Sequence, residues 1–180
     1  MQLKEERFDK LFTSPLARAT ETAGIVWQGN NERARTVLEG LREIDLYSFQ
    51  GLLKAEGIAR YGSEFATWQK APADFTIDGQ KPVVELWHRA SLAWQRILLD
   101  ADVEGSALVV AHNAVNQALV ATAVGLSAEK FRRLLQSNAA TTVLDFVPRV
   151  GGGPPVGTID RLNQVCSLDA VVAPLIIVAL

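Results

Sequence analysis

Cysteine is nearly missing from this chain. Cys166 stands alone among 180 residues, which excludes an intrachain disulfide framework and fits a reducing compartment. Charge of either sign is not in excess: 18 basic and 20 acidic residues leave a formal net charge of −2, so neither a nucleic-acid surface nor a polybasic membrane patch is expected. No apolar run is long enough to span a bilayer. The nearest, Ala170–Leu180, is too short and contains Pro174; it reads as a strand or an ill-fitting terminus. The opening Met1-Gln2-Leu3-Lys4-Glu5-Glu6-Arg7 has no charged-then-apolar pattern and carries acids, unlike a transit peptide. Internal repeats and metal-ligand spacings are absent as well. What is present is an ordinary globular composition, 48% hydrophobic and 21% charged, on a chain long enough to bury a sizeable core as one domain over 1–180.

Strand-like runs alternate with helical ones, the pattern of a sheet covered by helices. Phe8–Thr13 predicts a short strand. Ser14-Pro15 then suits an N-cap and first helical position, with Leu16, Ala19, Ala23 and Val26 on one apolar face and Gly29-Asn30 as a stop. Thr36–Leu38 predicts a second strand. Leu52–Lys70 reads as one or two helices broken near Gly62-Ser63, and Ala71–Pro82 as a polar link. Val83–Leu99 predicts the longest helix, its stripe formed by Leu86, Ala90, Trp94 and Ile97 or Leu98. Ser106–Ala111 is a continuous apolar run, suited to a strand covered on both faces. A helix to Val124 follows, with Gly125 just past its end. Ser127–Gln136 predicts another helix, Thr141–Phe146 a strand, Pro148–Gly157 a loop and Thr158–Asn163 a last strand.

Three segments carry chemistry. In Leu108-Val109-Val110-Ala111-His112-Asn113 a strand delivers an imidazole to its end just where a helix begins. Ligands collect at such junctions, and helix N-terminal amides favour anions; a satisfied core histidine is the plainer alternative. Arg18 falls in the first turn of the helix after Ser14-Pro15, where a guanidinium beside free N–H groups can fork onto two phosphate oxygens; the alternative is a solvated arginine paired with Glu21. In Leu41-Arg42-Glu43-Ile44-Asp45 two acids lie among apolar residues. A carboxyl in such a setting can carry a proton to a leaving group, though a surface acid capping a turn fits equally. His88 lies in mid-helix and reads as surface or packing.

In this order the segments resemble the histidine phosphatase superfamily, which includes the cofactor-dependent phosphoglycerate mutases. The resemblance runs from about Phe8 to Asn163. It rests on Ser14-Pro15-Leu16-x-Arg18-Ala19-x-x-Thr22-Ala23, on Leu41-x-Glu43-Ile44-Asp45 and on Val109-Val110-Ala111-His112. Downstream, His112-Asn113-Ala114-Val115-Asn116-Gln117-Ala118-Leu119, Leu134-Leu135-Gln136-Ser137-Asn138 and Val143-Leu144-Asp145-Phe146 look closest to the plant and cyanobacterial 2-carboxy-D-arabinitol-1-phosphatase-like branch. The resemblance implies a three-layer α/β/α sandwich and a phosphomonoesterase acting on a small phosphorylated sugar or sugar acid through a phosphohistidine, without metal or other cofactor. Phosphotransfer of the mutase type shares the pocket. It also implies roles: Arg18 and His112 bind phosphate together with Asn113 at the helix start, and Glu43 and His112 are catalytic, Glu43 as proton donor. A helical insertion over 52–82 covers the pocket, with Arg60, Tyr61, Trp68 and Lys70 as candidates for substrate contact; plain lid packing is an equal alternative for all four. The partner is a small phosphorylated metabolite, neither nucleic acid nor membrane. The compartment is cytoplasm or, by the branch resembled, plastid stroma.

The resemblance breaks at one place. Such proteins open with a strand ending in Arg-His-Gly, whose histidine attacks phosphorus, and no Arg-His-Gly occurs in these 180 residues. First strand and helix are therefore expected to be missing. That strand lies inside the sheet, so its neighbours are expected to have unpaired N–H and C=O groups. A truncated gene, a processed fragment and a diverged, phosphate-binding pseudo-enzyme all fit; a fragment unable to fold fits too.

Overall fold

The computed structural model describes residues 8–27, 35–101, 105–147 and 156–165, and the backbone of 175–178. The opening heptapeptide, the helix stop at Gly29-Asn30, most of the loop Pro148–Gly157 and the start of the apolar run at Ala170 lie outside the described residues.

Strands and helices alternate as the sequence patterns require. β1 (Lys10–Thr13), α1 (Ala17–Val26) and β2 (Arg35–Val37) are followed by α2 (Lys54–Lys70) and α3 (Pro82–Asp100). β3 (Ala107–Val110), α4 (Asn113–Ala123), β4 (Thr141–Val147), β5 (Val156–Gln164) and β6 (Leu175–Val178) complete the order. The strands form one sheet, β2-β1-β3-β6-β4-β5. The first four in that order run parallel, and β4 is antiparallel to both its neighbours.

Successive residues of a strand face opposite sides of a sheet, and here both sides are apolar. On one face Phe12, Ala107 and Val109 pack with Leu86, Ala90, Trp94 and Ile97 of α3 and with Val115 and Leu119 of α4. On the other, Leu11, Leu108 and Val110 pack with Ala19, Ala23 and Val26 of α1. This is the three-layer α/β/α sandwich, and it explains why the run at 106–111 is continuous rather than alternating. Two indoles tie the helices of the larger layer together. Trp94 Nε1 donates to Leu119 O at 2.7 Å, and Trp87 Nε1 to Leu126 O at 2.9 Å. Gly125 closes α4 at φ +76, with Leu126 N–H donating to Ala121 O at 2.8 Å. Among the described residues no helix is long and apolar enough to cross a membrane.

The structure corrects three local expectations. α1 starts at Ala17, after an extended Leu16 (φ −70, ψ 133), because Ser14 is still part of the sheet edge: its N–H donates to Val110 O at 3.1 Å. α2 keeps the break expected near Gly62-Ser63, as a kink at Tyr61 (φ −128, ψ 25) between two helical stretches. The helix predicted over Ser127–Gln136 reduces to a 3₁₀ turn at Ala128–Lys130. Arg132 breaks it at φ 67, sending its N–H to Gln117 Oε1 at 2.9 Å. Its guanidinium lies 4.2 Å over the Trp68 ring and donates to Trp68 O at 2.8 Å, so tertiary partners override local propensity. Finally, no gap is left beside β3. The apolar run near the end of the sequence supplies β6, which lies parallel to β3 and antiparallel to β4. β-branched Ile176, Ile177 and Val178 suit such a position.

Two glycines are expected to respond oppositely to a methyl group. Gly24 sits exposed in α1, where an added Cβ meets nothing within 4 Å; Gly24→Ala is expected to stabilise by about 0.5–1 kcal/mol. Gly125, at φ +76, is expected to lose about 1–2 kcal/mol on Gly125→Ala. Urea midpoints of the two variants should move in opposite directions, and movement in the same direction would contradict the helix boundaries given above.

Candidate functional site

The path of the chain through the sheet creates the site. From β1 it passes through α1 to β2 on one side, and from β3 through α4 toward β4 on the other, while β1 and β3 lie side by side. The crevice at their carboxyl ends is a topological switch point, the place where ligands bind in open α/β sheets. Ser14 follows β1 into it and His112 follows β3.

His112 is 1% exposed, and both ring nitrogens have partners. Arg18 Nε–H donates to Nδ1 at 3.0 Å, and Nε2 lies 2.8 Å from Ser14 Oγ. A guanidinium only donates, so Nδ1 carries no proton, and the neutral ring holds its proton on Nε2, directed at Ser14. Burial, then the positive charges of Arg18 and Arg89, push the His112 pKa down from 6.5 to about 4. Arg18 itself is exposed in the first turn of α1. Its terminal amino groups have no hydrogen-bond partner among the described residues.

Glu43 reaches the site from the loop after the 3₁₀ turn Glu39–Leu41. Its Oε2 accepts Ala114 N–H at 3.2 Å, and its Oε1 accepts Val115 N–H at 3.2 Å and Ile44 N–H at 2.9 Å. The carboxyl therefore caps α4 from a distant loop and occupies amides that the sequence reading assigned to phosphate. Arg89 of α3 holds that loop from behind. Its Nη1 donates to Gly40 O at 3.0 Å and Arg42 O at 2.6 Å, and its Nη2 to Glu43 O at 3.1 Å. Burial lowers the Arg89 pKa, opposed chiefly by the charge of Glu43.

A cavity of about 840 Å³ opens beside these groups. Arg18, Arg42, Glu43, Asp45, Arg89 and Arg96 supply its charged wall with Glu39, and Leu38, Ile44 and Leu92 part of its apolar wall. His112 does not line it and is reached through Arg18. A concave site walled by four arginines, three carboxylates and apolar side chains can take a small anion carrying an organic group.

The structure thus brings Arg18, Glu43 and His112 together. For Asn113 the reading concerned the backbone N–H at the helix start; its side chain does not line the cavity but braces α4, the amide donating to Gln136 O and the carbonyl accepting from Gln117 Nε2 at 2.7 Å. Nor do Arg60, Tyr61, Trp68 and Lys70 line the cavity. Tyr61 donates to Ser48 Oγ at 3.0 Å, with Arg60 over its ring at 5.2 Å. Trp68 packs against Phe75 at 5.1 Å and Phe131 at 6.1 Å between centroids, and Lys70 is exposed at the end of α2. Two residues escaped the sequence reading. Ser14 was read as a cap, whereas it also holds His112. Arg89 had one available signal, an arginine flanking the apolar stripe of α3.

Residues 1–151 match the family described as the histidine phosphatase superfamily (branch 1). The chain is 56% identical over 165 residues to the 2-carboxy-D-arabinitol-1-phosphatase of Triticum aestivum, covering 91% of this chain and 32% of that protein. It spans about a third of the length of the plant relatives it matches. Among solved structures, Bacillus stearothermophilus YhfR superposes with a TM-score of 0.75 at 23% identity, over 91% of this chain and 80% of that one. The alpha-ribazole phosphatase from Shigella flexneri gives 0.71 at 17% identity, over 93% and 82%. Both likenesses are of fold.

The buried imidazole makes a testable link between pH and stability. Unfolded, His112 takes up a proton near the ordinary 6.5; folded, it does so only near 4. The unfolded chain therefore binds more protons in that window, and this residue's contribution to stability, full above pH 6.5, falls as pH is lowered toward 4. Nitrogen NMR of the ring is expected to show the Nε2-protonated neutral form down to about pH 4. In His112→Gln the corresponding slope of stability against pH should vanish; a His112 ring titrating near its ordinary value would contradict the geometry.

Proposed function

The chain belongs to the histidine phosphatase superfamily, branch 1, and from there we propose that it carries the phosphate-binding site of a phosphomonoesterase for a small phosphorylated sugar or sugar acid. The observation that carries the reading is the Arg18–His112 pair at the switch point between β1 and β3, beside a cavity of suitable size. In this reading the free amino groups of Arg18 fork onto two phosphate oxygens. As Arg18 turns to the anion it releases His112 Nδ1, and the dianion reverses the charge balance that keeps the ring neutral. His112 then becomes a second phosphate ligand. Glu43 yields the α4 amides to the phosphate and, having taken up a proton from solvent as it leaves them, serves as proton donor to the departing alkoxide. Positioning and charge stabilisation are most of what phosphoryl transfer asks of a protein. The names of the plant relatives support a phosphorylated sugar acid as substrate.

The Arg-His-Gly that would carry the attacking histidine does not occur in these 180 residues. His112 is buried with both nitrogens engaged, and His88 is exposed on α3, away from the cavity wall. We therefore read the 180 residues as binding phosphate esters without turning them over, whether as part of an enzyme whose nucleophile is supplied by an Arg-His-Gly strand or as a regulatory binding domain.

Orthovanadate, a phosphate mimic, tests the site by calorimetry. Binding is expected, and Arg18→Ala should weaken it at least about tenfold, as the loss of a charge-assisted contact of about 1.5–3 kcal/mol predicts. No hydrolysis of an aryl phosphate is expected from the 180 residues, whereas a longer chain carrying an Arg-His-Gly strand should hydrolyse it and lose that activity on His112→Ala. Absence of vanadate binding would sink the site, and hydrolysis by the 180 residues alone would sink the binding-only reading.

A further inference from the structure

We propose that Arg89 is the positioning residue of this site: it sets the backbone of residues 40–43 so that the Glu43 carboxyl lands on the first amides of α4. This rests on the reading of Glu43 as the site's acid. The loop that carries Glu43 has little regular structure beyond the turn Glu39–Leu41, so its carbonyls must find partners elsewhere. Arg89 supplies them, joining the carbonyls of Gly40, Arg42 and Glu43 with two terminal nitrogens. Two packing contacts fix the distance over which it acts. Leu41 is fully buried, and Gly40 lies so close to α3 that an added Cβ would come within 3.2 Å of Ala93 Cβ.

The result is a chain of constraints running from α3 through the loop to α4. The guanidinium of Arg89 orients the peptide units before and after Glu43; these aim the Cα–Cβ bond of Glu43; the carboxyl then meets Ala114 and Val115 N–H. Charge works in the same sense. Glu43, Asp45 and Glu39 attract Arg89 to the loop, and only Arg42 opposes them. A lysine carries the same charge but lacks the planar fork that serves three carbonyls in fixed directions. Arg89 thus acts on the anion site through Glu43, with three of its five N–H donors given to backbone carbonyls.

Amide NMR on the 180-residue chain tests this without any ligand. Glu43→Ala is expected to shift the Ala114 and Val115 amides. Arg89→Lys should shift the same two amides by a similar amount, while the Trp94 indole N–H, bonded to Leu119 O on the far side of α4, stays in place. Adding Glu43→Ala to Arg89→Lys should then shift those amides no further. If Glu43→Ala keeps its full effect in the Arg89→Lys background, the positioning role is overturned, whatever Arg89 contributes to stability. Should Arg89→Lys not fold, the unaltered chain decides: the Arg89 Nη protons are expected as separate, slowly exchanging resonances, and a freely rotating guanidinium would overturn the clamp. Vanadate affinity gives a second readout, in which the Arg89→Lys and Glu43→Ala changes should fail to add. Loss of vanadate binding in the unaltered chain would count against the proposed function and leave the amide result standing.

Discussion

A helix that starts inside a protein has amide donors with no intrahelical acceptor, and α4 starts directly after a histidine that is 1% exposed. Water cannot reach those donors freely, so another part of the chain must. Glu43 does so with both carboxyl oxygens, and much else is arranged around that need. Its loop must run beside α3, which buries Leu41 and presses Gly40 against Ala93. The loop's own carbonyls then require a donor, which α3 provides in Arg89. The cavity wall is the outer surface of the same arrangement.

The site is also organised by where positive charge is not placed. Burial, and then the charges of Arg18 and Arg89, depress the pKa of His112, so the cations of the site are guanidiniums and the imidazole stays neutral. A neutral ring can accept from Arg18 and direct its own N–H at Ser14, which a charged ring could not do. Ser14 Oγ in turn accepts Leu16 N–H at 3.2 Å, linking the histidine to the start of α1.

Away from the crevice, the same rule of satisfying buried groups shapes the sheet and the segment around α2. The sheet is covered by helices on both faces, and β6 completes the hydrogen bonding between β3 and β4. α2 is held largely by aromatic packing: Phe49 meets Tyr61, Phe65, Trp68 and Phe75 with centroids 5.2–6.2 Å apart. Trp68 extends that cluster to Phe131 and Arg132. These contacts hold Tyr61 and Trp68, two of the four α2 residues that a reading of substrate contact had singled out.

What could be read from the sequence was local. Periodicity is a property of neighbouring residues, so the stripe of α3, the two-sided burial of β3 and the glycine after α4 were all legible, and the motifs placed Arg18, Glu43 and His112 in one pocket by resemblance. Tertiary structure decided the rest. Ser14 and His112 are 98 residues apart, Arg18 and His112 94, Glu43 and Ala114 71, and no local pattern says which distant groups will satisfy one another. The same holds for Ser127–Gln136, whose helical pattern yields to the partners of Arg132, and for Leu175–Val178, whose apolar character was plain while its place between β3 and β4 was not. Propensity and periodicity act over a few residues; buried donors and acceptors are paired across the whole chain, and only the folded arrangement determines those pairs.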